Sequence, residues 1–167
     1  QPPAENLGRL ATSYLAFLAA ALDYKTGRFR NFMSHGRQWL EEAGSEDSHA
    51  RALWAAGIGA GRSRNEGHRR LSAQLFERGL AAVEGFISPR AWSFTLLGIH
   101  EYLRQFTGNA QINAMRVTLT DRLVQRWKDC AAEDWPWFED SVTYENARFS
   151  QALILSGQWM PNPEAFE

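Results

Sequence analysis

Two stretches of the chain concentrate side chains able to do chemistry. Residues 134–148 read Asp-Trp-Pro-Trp-Phe-Glu-Asp-Ser-Val-Thr-Tyr-Glu-Asn-Ala-Arg, and residues 46–54 read Glu-Asp-Ser-His-Ala-Arg-Ala-Leu-Trp. Each delivers a polar residue, Ala and Arg into the start of an apolar helix. His49 and Asn146 therefore occupy equivalent places, as do Arg51 and Arg148. Asp47, Glu139 and Asp140 are the first candidates for catalysis. Glycoside chemistry needs one acid to protonate the leaving oxygen and a second carboxylate as base or nucleophile. Glu46, Glu133, Asp134 and Glu145 are equally eligible by composition, and acidic residues near helix starts also serve as caps and dipole partners. His49 could act as acid or base near neutral pH, as an epimerase or isomerase requires, or be a structural residue of a first helical turn.

Trp135, Trp137 and Tyr144 offer rings on which the apolar C–H faces of a sugar stack, while Arg51, Asn146 and Arg148 offer hydrogen bonds to its hydroxyls. Phe29, Phe32, Trp39 and Phe138 belong to the same aromatic set. Two alternatives stay open: the rings plug the end of a helix array, and the arginines pair with Asp47, Glu139 or Asp140 to hold the rim together. No metal site is expected, because His35, His49, His68 and His100 are dispersed and no His-Glu-x-x-His spacing occurs. No cofactor is expected either. Gly57-Ile58-Gly59-Ala60-Gly61 follows no strand pattern, so it reads as close helix contact and termination rather than a phosphate loop.

The elements that must position these residues are helical. Strict period-two alternation is nearly absent, and the chain reads as six helices in an all-α domain spanning 1–167. The first runs from about Asn6 to Asp23, the second from Ser45–Ser48 to the glycines 57, 59 and 61, and the third from about Asn65 to Gly85. Ser88 caps the fourth with Pro89 at its first position. The fifth covers about Asn109 to Ala131 and the sixth about Tyr144 to Ser156. The first, third and fifth carry an apolar stripe and belong outside, whereas the second, fourth and sixth are apolar nearly all round and belong inside. Stacked antiparallel hairpins, about three in number, satisfy that alternation. The long connections 24–45 and 132–142 both run from outer to inner helix and must share one rim. The short turns near Gly61–Asn65 and Thr107–Asn109 lie on the other. Arg51, Arg90 and Arg148 each sit near the start of an inner helix, a weak repeat signal.

Composition sets the bounds. A 167-residue chain with 44% hydrophobic residues buries a core of its own. With 18 basic and 19 acidic residues, no global field recruits nucleic acid or anionic lipid. The basic residues are almost all Arg, the donor suited to bidentate contacts and ring stacking, although a coding bias gives the same excess. Cys130 is the only cysteine, which fits a reducing cytoplasm. The apolar run Leu10–Leu22 is too short to span a bilayer and has no basic segment before it, so neither membrane insertion nor export is expected. Pro161-Asn162-Pro163-Glu164 reads as a turn and a new helix start, as in a piece of a longer array.

Trp137-Phe138-Glu139-Asp140, Thr143-Tyr144-Glu145-Asn146-Ala147-Arg148 and Gln151-Ala152-Leu153 resemble the helical toroid domains of bacterial glycan-metabolism proteins. Arg30-Asn31-Phe32-Met33 and Glu46-Asp47-Ser48-His49-Ala50-Arg51-Ala52-Leu53-Trp54 fit the same type, so the resemblance covers most of the chain. It implies an (α/α) toroid similar to six-hairpin glycosidases and N-acylglucosamine 2-epimerases, often accompanying a family 4 glycosyltransferase. It adds Arg30 and Asn31 to the sugar-binding candidates. Three hairpins make half of a six-hairpin ring, which implies either a missing remainder or a homodimer covering the open inner face. The leading expectation is a carbohydrate-handling domain with its site on the rim formed by residues 24–51 and 132–148. A helical-repeat module for protein interaction or dimerisation is the alternative.

Overall fold

The computed structural model describes residues 4–159, and the 161–164 turn lies outside them. The described residues form six α-helices: α1 (Ala4–Ala21), α2 (Glu46–Arg62), α3 (Glu66–Leu80), α4 (Pro89–Leu103), α5 (Ala110–Cys130) and α6 (Ala147–Gly157). A 3-10 turn at Ala81–Gly85 finishes the third. The described residues contain isolated backbone bridges but no strand. None of their helices is long and apolar enough to cross a membrane.

Local chemistry sets most helix starts. Ser45, Asn65, Ser88 and Asn109 each accept a hydrogen bond from the backbone N–H three residues on, satisfying a donor that has no partner inside the helix. Pro89 at the first turn of α4 loses no hydrogen bond there.

The sixth helix differs from expectation at its start. It begins at Ala147, because Glu145 takes a left-handed φ of 54° and breaks the helical path from Tyr144. His49 and Asn146 are thus not structurally equivalent: the first lies inside a helical turn, the second just before one.

The helices form two layers. Inside, α2 packs on α4 and α4 on α6; outside, α3 backs α2, α5 backs α4 and α6, and α1 leans on α3. The tight hairpins are α2–α3 and α4–α5, joined by the short turns, while α1 and α6 flank them. Apolar character decides the layering. Most of α4 is buried, including Phe94, Leu96, Leu97 and Ile99, whereas α5 buries a stripe through Ile112, Leu119 and Leu123.

Small residues let α2 and α4 lie almost backbone to backbone. A Cβ on Gly57 would stand 2.3 Å from the Gly98 carbonyl oxygen, and one on Gly61 would stand 1.9 Å from that of Glu101. Pairing 57 with 98 and 61 with 101 makes the two helices parallel. Glu46 confirms it at the other end, accepting hydrogen bonds from the N–H groups of Ile87 (3.1 Å) and Ser88 (2.8 Å) just before α4. All three inner helices consequently start on one rim, and both long connections reach that rim.

Candidate functional site

The centre of the rim is Arg90, at the second position of α4 and only 8% exposed. Its guanidinium donates from Nε to the Tyr144 carbonyl (2.9 Å) and from Nη2 to Asn146 Oδ1 (3.2 Å). It also donates to Glu139 and to the Thr143 hydroxyl. It lies over the rings of Tyr144 (4.7 Å) and Phe149 (5.2 Å), so its planar cation is satisfied at its edge and on its faces. One buried arginine thereby folds the 132–146 connection onto the start of α4.

Asp47 and Arg51 continue the network on α2. Arg51 Nε donates to Asp47 Oδ2 at 2.9 Å, and the Tyr144 hydroxyl donates to Asp47 Oδ1 at 2.9 Å. Burial first, and the Asp47 carboxylate second, push the Tyr144 phenol above its ordinary pKa. Arg51 stacks over Phe94 (4.3 Å) and approaches Glu145 (3.8 Å). On α6, Arg148 donates to Glu145 (2.8 Å) and Gln151 (2.7 Å) and lies over Trp54 (4.9 Å). The hydrogen bond from Arg148, with Arg51 nearby, holds the Glu145 carboxyl below the usual range.

Among the catalytic candidates, then, Asp47 and Glu139 are joined through Tyr144 and Arg90, and each already holds a cation. Glu139 Oε2 and Trp137 Nε1 are buried without a hydrogen-bond partner among the described residues. Asp140 is exposed and outside the network. Trp135 is 39% exposed, and its indole N–H donates to the Glu139 carbonyl (2.7 Å). Trp137 packs edge-on against Phe138 and Phe149, filling the end of the array rather than facing solvent.

His49 needs correction as a candidate acid or base. Its side chain is fully buried, Nδ1 accepts the Phe29 N–H (3.1 Å), and Nε2 donates to the Gly79 carbonyl (3.0 Å). Burial pushes its pKa down to about 4. A neutral ring with both nitrogens engaged ties the 22–45 connection to α2 and α3 and has no lone pair for a substrate. Arg30 and Asn31 also fall outside the Asp47–Arg90 network. Arg30 pairs with Asp23 (2.7 Å) beside Trp39, and the Asn31 N–H is held by Glu41.

The structure adds residues that were not singled out for a site. A groove of about 240 Å³ runs along the inner face below the rim, with Trp54, Ile58, Leu97 and Leu155 as its apolar lining and Arg62, Glu101 and Gln151 as its polar lining. Arg62 holds Glu101 through two hydrogen bonds at one end, and that contact lowers the Glu101 carboxyl pKa. The sequence signals for these residues were slight: Trp54 closes the repeated 46–54 motif, and Gln151 follows Arg148 by one helical turn. Among the described residues no group of three His, Cys, Asp or Glu is placed to hold a metal ion. Known protein families, curated proteins and solved structures were each compared with the chain, and none matches it.

Proposed function

We propose that this chain is a carbohydrate-binding helical domain of (α/α) toroid type, with the sugar seated in the inner-face groove beneath the 132–148 rim. The observation that carries the reading is the make-up of that groove: indole and aliphatic surface beside a carboxylate, an amide and a guanidinium. A pyranose presents an apolar face and a belt of hydroxyls, and those groups match both kinds of lining. The exposed ring of Tyr144 and the Arg148–Gln151 pair extend the surface toward the rim. Binding rather than turnover fits best, since Asp47 and Glu139 are committed to Tyr144, Arg51 and Arg90.

Titration of 15N-labelled protein with mono- and oligosaccharides tests the reading. The Trp54 indole and Gln151 side-chain amide signals are expected to shift saturably, and Gln151→Ala to weaken binding by about tenfold, the loss of one well-placed hydrogen bond. No perturbation of either signal by any sugar at millimolar concentration sinks it.

A second reading, a module for protein interaction or dimerisation, is favoured by a different surface. Leu7, Leu10, Tyr14 and Phe17 form an exposed apolar stripe at helical spacing on α1. Light scattering separates the two: a monomer at high concentration, unchanged by Leu10→Glu, removes self-association through this stripe.

A further inference from the structure

A second cavity lies on the opposite rim, where the end of α4 meets the first turns of α5. It measures about 470 Å³, within the roughly 300–1,000 Å³ range of small-molecule sites, and its lining includes His100, Leu103, Arg104, Asn113, Arg116 and Trp159. Its chemistry is one-sided: two guanidiniums and an imidazole line it, and no lining residue among those described is a carboxylate. Glu101, next to His100 in the chain, is held by Arg62 through both oxygens and reaches Arg104 only at 3.8 Å.

Arg116 is the telling residue. Its Nη2 donates to Asn113 Oδ1 at 2.8 Å, and Asn113 is itself fixed by donating to the carbonyls of Asn109 (2.9 Å) and Thr107 (3.3 Å). The guanidinium is therefore aimed, yet its Nε is buried with no acceptor among the described residues. A buried donor left unpaired costs about 1–3 kcal/mol, more when charged, so the protein alone leaves this guanidinium under-satisfied at the cavity wall. Burial also holds the Arg116 and His100 pKa values below their ordinary levels. A neutral His100 still presents an N–H, and two arginines offer the forked geometry that oxyanions accept.

We propose that this cavity binds a small organic oxyanion, a phosphate monoester or a carboxylate, with Arg116 and Arg104 holding the charged group and Leu103 and Trp159 covering the organic part. The volume exceeds what a bare phosphate fills, which is why the ligand carries an organic portion. The site is separate from the inner-face groove and stands without the carbohydrate reading.

The test uses inorganic phosphate, phenyl phosphate and benzoate as probes, read from the Arg Nε–H and Trp indole signals of 15N-labelled protein. Phenyl phosphate, benzoate or both are expected to shift Arg116 Nε–H and the Trp159 indole saturably, and to bind more tightly than inorganic phosphate. A response to only one of the two organic probes identifies the oxyanion. Arg116→Gln and Arg104→Gln are each expected to weaken binding about tenfold or more, the loss of one charge-assisted pair. Arg104 is half-exposed, so its variant carries the test if Arg116→Gln folds poorly. Absence of a saturable response to all three probes overturns the proposal. So does an unchanged response in Arg104→Gln, because the anion is then bound elsewhere.

Discussion

Tyr144 and Asp47 are 97 residues apart in the chain, and the phenol of one donates to the carboxylate of the other at 2.9 Å. The carbonyl of the same tyrosine accepts from Arg90 at 2.9 Å, so a single residue latches the 132–146 connection to both α2 and α4. Arg90→Ala leaves Glu139 without its cation in a half-buried position, and breaking such a pair from one side costs on the order of 3 kcal/mol. Tyr144→Phe removes one partly exposed hydrogen bond and keeps the ring over Arg90, for a cost of about 1 kcal/mol. Urea unfolding midpoints give the ranking. Equal effects of the two changes are incompatible with Arg90 as the centre of the rim.

Gly57→Ala inserts a methyl into the α2–α4 contact, where the nearest atoms are Gly98 backbone that cannot swing aside. Forcing a methylene into a packed interior costs about 1–3 kcal/mol, and a backbone obstacle puts this site at the upper end. Gly8→Ala is the matched control. Gly8 lies in α1 with nothing within 4 Å of its absent Cβ, so alanine there is expected to stabilise by up to about 1 kcal/mol. Thermal unfolding of the two variants should move in opposite directions.

The layering of the helices was legible because it depends on local pattern. Ser88-Pro89 marks the start of α4 and the apolar circuit of Phe94, Leu96 and Ile99 marks its burial, both features of a short window of sequence. The pairing of long connections on one rim followed from their lengths. The site was less legible, because hydrogen-bond partners are set by tertiary approach. His49 and Asn146 precede the same Ala-Arg dipeptide, yet one ring is sealed against Phe29 and Gly79 while the other side chain faces Arg90. Arg90 was visible only as a repeat of Arg51 and Arg148. Its role depends on four residues between 139 and 146, whose path turns on the left-handed backbone of Glu145.

Arg37 offers a test of backbone strain away from any site. It sits at φ 60° closing the turn from Ser34, whose carbonyl accepts its N–H at 2.9 Å, and its side chain is exposed. Left-handed backbone costs a residue with a Cβ roughly 1–2 kcal/mol relative to the right-handed region, a cost glycine escapes. The extra freedom glycine gains when unfolded returns part of that, so Arg37→Gly is expected to stabilise by up to about 1 kcal/mol. A lower melting temperature for the variant would mean that the arginine side chain contributes more than its backbone costs.

His49 makes the stability of the fold depend on pH in a fixed direction. Burial pushes its pKa to about 4 in the folded chain, against 6.5 for a free imidazole, because protonation would charge a sealed ring and remove the lone pair that accepts the Phe29 N–H. Nearby Arg28 adds a smaller push the same way. Between these two pKa values the unfolded chain binds the proton and the folded chain does not, so stability falls as pH falls through that window. The contribution is fully present above about pH 6.5 and declines by on the order of 3 kcal/mol on reaching about pH 4. Carboxylates titrating near the lower limit add their own slope, so the His49 part is isolated by comparison with His49→Gln. That variant is expected to be less stable at neutral pH and to show a shallower slope between about pH 6.5 and 5, the remainder coming from His100, whose pKa burial also lowers. Carbon-detected titration of the ring, showing it neutral with the proton on Nε2 down to about pH 5, checks the same point directly. A ring that titrates near 6.5 is open to water, and the bracing role assigned to His49 then fails.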